Sequence, residues 1–267
     1  MADTSIEWTQ RPGTTGAVWN PTTGCDRISD GCDNCYALTM SKRLKGMGAV
    51  KYQTDGDPRT SGPGFGVTVH PDALRMPLTW RKPRTVFVNS MSDLFHARVP
   101  REFVVRVWDV MSRTPQHTYQ ILTKRPERMG RAVSELPDGL WQLPLSNVWL
   151  GTSIESDKHT GRADALRDTP AAVRFISAEP LIGPLPSLDL TGIDWLIIGG
   201  ESGHGSRPMD LAWVYDLIGK ARAAGTAVFV KQLGKVWAGS GKGGDWSGWP
   251  EDLRVREYPA ERAAVTA

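Results

Sequence analysis

A chain of 267 residues with 40% hydrophobic and 23% charged content can bury a sizeable core and sits at the upper end of single-domain length. Its net charge of +3 permits a nucleic-acid partner without arguing for one. No apolar run is long enough to span a membrane, and the opening MADTSIEWTQRPG lacks a basic segment followed by an apolar one, so a cytoplasmic chain with no secretory leader is expected.

The first strand is expected at GAVWNP (16–21), running into the loop TTGCDRISDGCDNCYA (22–37). Residues 46–84 break the pattern: GMGAVKYQTDGDPRTSGPGFG reads as an irregular insertion, and VTVHPDALRMPLTWRKPR as a short strand and helix. From there, apolar runs alternate with amphipathic stretches. Strands are predicted at 85–89, 118–122, 147–151, 173–177, 194–199 and 227–231, each nearly continuous in apolar character, as parallel strands buried on both faces are. PREFVVRVWDVMSR is a predicted helix with Pro100 at N1 and Phe103, Val104, Val107 and Val110 or Met111 along one face. PERMGRAVSEL, DKHTGRADALRDT and MDLAWVYDLIGKARAAG fit the same template, the last closing on Gly225. Between Ser177 and Asp194 the prolines and glycines leave no room for a crossover helix. These elements predict an α/β fold: a parallel, right-handed βα barrel, partial or complete, over residues 1–234. A Gly/Trp-rich C-terminal extension, 235–267, follows; it is expected to wrap the barrel's end, with its last residues disordered.

In such a barrel the loops at the carboxyl ends of the strands open on one face, where chemistry gathers. Here those ends carry Asn89, Ser90, Ser92, Asp93, Thr123, Lys124, Ser153, Glu155, Ser177, Glu179, Glu201, Ser202, Lys231 and Gln232. One polar turn is unremarkable, because Ser, Asp and Glu cap helices; six in succession mark this mouth as the candidate site. The glycines of LIIGGESG lack dinucleotide-fingerprint spacing and are expected to let the backbone approach a ligand closely. The eleven tryptophans and the basic groups SKRLKG, WRKPR and LTKRPER are expected to serve core packing and solvated surfaces.

Cys25, Cys32 and Cys35 are the chain's only cysteines, and they fall on the loop after the first strand. Their soft sulfurs suit zinc or an iron-sulfur cluster. Structural zinc needs four ligands, and none of His70, His96, His117, His159 and His204 stands at a paired metal-binding spacing. A [4Fe-4S] cluster on three cysteines instead keeps one iron open for a cofactor or substrate.

This layout resembles the radical S-adenosylmethionine superfamily. More narrowly, WNPTTGCDRISDGCDNCYA, VFVNSMSDLFH, QILTKRPERM, VWLGTSIE, FISAEPLIGPL, DWLIIGGESG and FVKQLG, in that order, resemble the motifs of a bacterial and phage family of radical-SAM-like proteins. The resemblance implies that Cys25, Cys32 and Cys35 hold a [4Fe-4S] cluster whose open iron chelates S-adenosylmethionine. One electron from a flavodoxin- or ferredoxin-type donor then cleaves the sulfonium, and the resulting 5′-deoxyadenosyl radical abstracts hydrogen from a substrate. It implies cofactor contacts at Asn89, Ser90, Ser92 and Asp93 for the methionine amine. It places Glu155, Ser177 and Glu179 near ribose or methionine, and Gly199, Gly200 and Glu201 near adenine or substrate. The sequence departs from the superfamily's commonest pattern in two places. The first cysteine gap is six residues where three is usual, and Asn34 stands where an aromatic residue normally precedes the last cysteine, leaving adenine packing to Tyr36. Nucleic acid is the first substrate class expected. The alternatives are a zinc-dependent enzyme on the same barrel and a non-catalytic, metal-stabilised module that binds nucleic acid or protein.

Overall fold

The computed structural model describes residues 3–137, 139–203 and 205–260; the disorder expected at the C-terminus falls on 261–267, outside the described residues. Nearly continuous apolar runs need cover on both faces, and the strands they form lie side by side in one parallel sheet. These are β1 (Thr15–Trp19), β4 (Arg84–Val88), β5 (Thr118–Thr123), β6 (Val148–Ser153), β7 (Val173–Ala178), β8 (Trp195–Gly199) and β9 (Ala227–Gln232), adjacent in that order. Spatial order therefore follows chain order, and the sheet curls into a half-barrel, a partial parallel βα barrel. The register aligns the carboxyl ends: Trp19 pairs with Val88, Val88 with Ile121, Ser153 with Ser177 and Ala178 with Ile198.

Helices cover the outer face. On α2 (Arg101–Ser112) the residues Phe103, Val104, Val107, Trp108, Val110 and Met111 are buried, and on α5 (Leu211–Ala224) Val214, Leu217 and Ala221 are. Gly225 ends α5 in the left-handed conformation, φ 69°. Pro100 is the N-cap of α2 where N1 was expected, because its extended backbone (ψ 141°) leaves it outside the helix. The stretch 157–169 is also shorter in helix than expected: a 3-10 turn, Asp157–His159, precedes α4 (Arg162–Arg167). There the Asp157 carboxylate accepts bonds from the Ser187 amide and hydroxyl. No helix interrupts the chain between β7 and β8.

Aromatic side chains fill the lower part of the concave face. Trp8, Phe87, Trp149, Phe175, Trp195, Phe229 and Tyr258 pack ring on ring there, with Trp8 brought in by the N-terminal 3-10 turn Glu7–Thr9. The open edges are covered by the chain's own ends. Asp3 bridges Ala17 on β1, and Val255 to Glu257 bond Val228 and Val230 on β9, which leaves neither edge bare for another strand. Within 46–84, the strand β3 (Thr68–Val69) pairs antiparallel with β2 (Thr22–Thr23), the start of the cysteine loop, and two 3-10 turns (Pro71–Arg75, Pro77–Thr79) replace the expected helix. Among the described residues no helix is long and apolar enough to cross a membrane.

Candidate metal and cofactor site

The carboxyl ends of the strands surround a cavity of about 500 Å³. Its wall includes all three cysteines, with Tyr36, Asn89, Ser90, Ser92, Asp93, Ser177, Glu179, Gly200 and Glu201. Its floor is apolar, formed by Ile6, Trp8, Phe87 and Leu122, and no histidine lines it among the described residues; His204 lies outside them. Two of the expected contacts, Glu155 and Gly199, do not line it.

The cysteine loop is fixed from four strand ends. After β4, Asn89 takes a left-handed conformation (φ 61°), one that asparagine tolerates, and its Oδ1 accepts a bond from the Thr22 amide. Ser92 donates to the Thr22 carbonyl at 2.8 Å, and Tyr36, the first residue of α1 (Tyr36–Gly46), donates its hydroxyl proton to the Ser90 carbonyl. After β5, Arg125 donates to Asp93 Oδ2 at 2.8 Å, to the Asp26 carbonyl at 3.2 Å and to Cys25 Sγ at 3.4 Å. After β6, Glu155 packs beneath Gly31: a Cβ there would stand 2.8 Å from Glu155 Cγ, so only glycine fits. After β8, Glu201 accepts from Asn34 Nδ2 at 2.9 Å and from Arg207, whose Nη2 also reaches the Asp30 carbonyl. Asp26 ties the loop to the insertion by accepting from Thr60, Ser61 and Arg98 and meeting His96 Nε2 at 2.9 Å.

The carboxylates at the mouth are tied into this network. Asp93 lines the cavity but is buried and bonded to Arg125, to the Thr123 hydroxyl and to the Phe95 amide. Glu201 is saturated by Arg207 and Asn34; burial opposes its charge, but those bonds hold its carboxyl below the usual range. Glu155 is fully buried against Arg162 at 2.9 Å; burial is outweighed there by Lys124 and Arg162, and its carboxyl too stays ionised. The glycines at the end of β8 are required by the chain's own packing: a Cβ on Gly199 would meet Glu179 at 3.0 Å, and one on Gly200 would meet the Gly234 backbone at 2.8 Å. Arg125, Asp26, Asn34 and Arg207 escaped the sequence reading. Only the basic group LTKRPER flagged the first of them.

A further ion pair, joining two strand ends rather than the cysteine loop, faces the cavity. Glu179 accepts from Lys231 Nζ at 2.7 and 2.8 Å and from Gln232 Nε2 at 2.6 Å, and both Glu179 and Lys231 line the wall. On the β4 side, Asn89 has a buried Nδ2 without a hydrogen-bond partner.

The residues fit a metal cofactor in their donor chemistry. The three thiols are free and half-buried, and all face one cavity. Burial and the Asp93 charge push the Cys25 thiol up to about 12, partly offset by Arg125, and burial raises Cys35 as well. Thiols so placed ionise when a cation takes the proton's place. They are not arranged around one ion: a tetrahedral zinc with Zn–S bonds of about 2.3 Å holds its sulfurs about 3.8 Å apart, and these three do not all lie within 4.8 Å of one another. They share the cavity wall without being positioned as a cluster site.

No curated protein and no solved structure matches the chain. Residues 3–256 carry every strand of the half-barrel and the cysteine loop at its mouth; they match the model of a family described as "Protein of unknown function (DUF5131)", and the chain belongs to that family.

Proposed function

We propose that the protein is a radical-SAM-type enzyme, with Cys25, Cys32 and Cys35 holding a [4Fe-4S] cluster and S-adenosylmethionine bound beside it in the cavity. The observation that supports this reading is that all three thiols line one cavity at the strand ends, together with an ion pair suited to an amino acid. When bound, the cluster supplies the electron that cleaves the sulfonium and starts hydrogen abstraction from a substrate.

The chain's own residues bind, orient and exclude water. Four basic residues (Arg27, Lys124, Arg125, Lys231) and four acidic ones (Asp26, Asp93, Glu179, Glu201) line the cavity, a balance that favours a zwitterion over a polyanion. Glu179 and Lys231 form an ion pair that a zwitterion can enter, its ammonium going to Glu179 and its carboxylate to Lys231, with Gln232 keeping Glu179 oriented. The unpartnered Asn89 Nδ2 offers one more donor. Trp8, Phe87 and Leu122 give the floor a dry surface on which an adenine ring can rest. Arg125 keeps Cys25 in place and is a positioning residue. Nucleic acid is the substrate class to test first, because the net charge of +3 permits a polyanion and α1, which follows Cys35 directly, exposes Lys42 and Arg43.

Anaerobic purification and reconstitution test the reading. About four irons and four sulfides per chain, lost in Cys25→Ala, and reductant-dependent release of 5′-deoxyadenosine from S-adenosylmethionine are expected. Stoichiometric zinc with no iron would overturn it. Supplying single-stranded DNA, duplex DNA and RNA, with a peptide library as counter-test, assigns the substrate by which one accelerates that release.

A further inference from the structure

Behind the cavity wall lies a second group of metal-binding side chains that the cofactor site does not use. Asp30, Glu155 and His159 place one ligand atom each within 4.8 Å of one another, and none of the three lines the cavity. Asp30 sits inside the long gap between Cys25 and Cys32, Glu155 follows β6, and His159 ends the 3-10 turn before α4. We propose that Asp30, Glu155 and His159 bind one divalent transition-metal ion of the zinc type, which pins the Cys25–Cys32 segment to the β6 end of the half-barrel.

Four observations carry this. First, His159 Nε2 stands 3.3 Å from Asp30 Oδ1 and 3.5 Å from Glu155 Oε1. Both exceed the roughly 2.7–3.2 Å of an ordinary N–H···O bond. They match the edge of a tetrahedron around an ion with bonds of about 2.0–2.2 Å, which is about 3.3–3.6 Å. Second, Glu155 is fully buried, yet its Oε1 accepts no hydrogen bond and is the oxygen turned toward His159. A buried carboxylate oxygen without a donor is costly unless a cation completes it. Third, the other oxygen of each carboxylate is already taken: Asp30 Oδ2 meets Lys158 Nζ at 2.9 Å, and Glu155 Oε2 meets Arg162 Nη1 at 2.9 Å with Lys124 at 4.0 Å. That is how metal-ligating carboxylates are held, one oxygen on the ion and the other on an outer partner. Fourth, two carboxylates and an imidazole form a borderline donor set that suits zinc, cobalt or ferrous iron better than it suits a soft-metal thiolate site. Against the ion stand the charges of Lys124, Lys158 and Arg162. Lys158 is 61% exposed, so water screens it, while Lys124 and Arg162 are committed to Glu155 Oε2. Asp30 and His159 are only half-buried, which gives the ion a way in from solvent.

The inference stands apart from the cluster reading, since the ion uses none of the cysteines. It gives the six-residue cysteine gap a purpose: the extra residues carry Asp30 out to the β6 end.

Cobalt(II) is the probe, because its visible bands separate nitrogen and oxygen ligands from thiolates, which add an intense near-ultraviolet band. Anaerobic titration of the whole protein is expected to fill a site with visible bands characteristic of tetrahedral nitrogen and oxygen donors. That site should weaken at least about tenfold in His159→Gln and in Asp30→Asn and persist in Cys32→Ser. Anomalous diffraction at the cobalt edge should place an ion between the three side chains. Both ligand variants sit on half-buried positions, and their folding is checked by circular dichroism before titration; Glu155→Gln is left aside because Arg162 depends on it. Cobalt affinity unchanged in both folded variants, or bands that vanish with Cys32→Ser while the anomalous peak sits on the thiols, would refute the site.

Discussion

Arg125 is the residue whose loss the structure makes most informative. Its guanidinium joins the buried Asp93 carboxylate, the Asp26 carbonyl and Cys25 Sγ, and the side chains of Arg125 and Asp93 are 12% and 7% exposed. Removing one partner of a buried ion pair costs about 3–5 kcal/mol when the remaining charge is orphaned. Asp93 is not wholly orphaned, because the Thr123 hydroxyl at 2.8 Å and the Phe95 amide at 3.0 Å still serve it. Arg125→Met is therefore expected to destabilise the metal-free protein by about 2–4 kcal/mol. For a chain of this size, that lowers Tm by about 2–4 °C per kcal/mol. Urea denaturation under reducing conditions measures it, and a double-mutant cycle with Asp93→Asn isolates the pair. The expected coupling is at least about 1.5 kcal/mol. Arg125→Lys should not rescue, since one ammonium cannot reach three acceptors in a fixed fork. A loss below about 1 kcal/mol, or additive single mutants, would show that the loop is held by its other contacts and that Arg125 is incidental.

Further outcomes follow from the same contacts. Gly31→Ala forces a methyl to 2.8 Å from Glu155 Cγ, a side chain that Arg162 pins, and is expected to cost about 1–3 kcal/mol by overpacking, read as a fall in Tm. Acid should act in two stages. Burial lowers His70, His96 and His117, so the unfolded chain binds more protons, and stability declines as pH falls below about 6.5. Asp26, Glu155 and Glu201 are held below their usual values despite burial, so their contribution is intact above about pH 4.3 and is lost on further acidification. Denaturation curves from pH 8 to 3 check this, and a flat profile between pH 7.5 and 5.5 refutes the histidine part. Lys231→Met, leaving Glu179 paired only by Gln232, is expected to weaken S-adenosylmethionine binding by at least about tenfold while the cysteines keep their iron; calorimetry on the reconstituted protein decides.

What was legible in the sequence was the frame. Parallel strands buried on both faces leave almost unbroken apolar runs, and so all seven were placed within a residue or two of their observed bounds. The end that holds the cavity was legible too, because polar residues begin directly after each run. What could not be read was which of those polar residues point at each other. Arg125 follows Lys124 in a basic cluster that looks solvated, and nothing in its spacing marks a guanidinium that reaches back 100 positions to Cys25. The Asn34 to Glu201 bond spans 167 positions. Such pairings are set by the curl of the sheet, which brings β5 and β8 ends over a loop that leaves β1. The helix expected over 157–169 is present but shorter, and its first residue, Asp157, bonds Ser187, 30 positions away.

That distinction reorganises the mouth of the barrel. Read as a string, Asp93, Glu155, Glu179 and Glu201 are equivalent carboxylates waiting for a ligand. In the structure three of them carry an arginine: Asp93 pairs with Arg125, Glu155 through its Oε2 with Arg162, and Glu201 with Arg207, each joined directly or through its arginine to the cysteine loop or packed under it. Glu179 differs because its partner, Lys231, comes from the neighbouring wall of the cavity and not from the loop. A ligand that separates Glu179 from Lys231 leaves the cysteines where they are, whereas one that competed for Asp93 or Glu201 would loosen the loop itself. On the proposed function, one set of charges would hold the cysteine loop and another would receive the cofactor. It also locates the substitutions that should separate cofactor affinity from metal retention: Glu179, Lys231 and Gln232 for the first, and Arg125, Glu201 and Arg207 for the second.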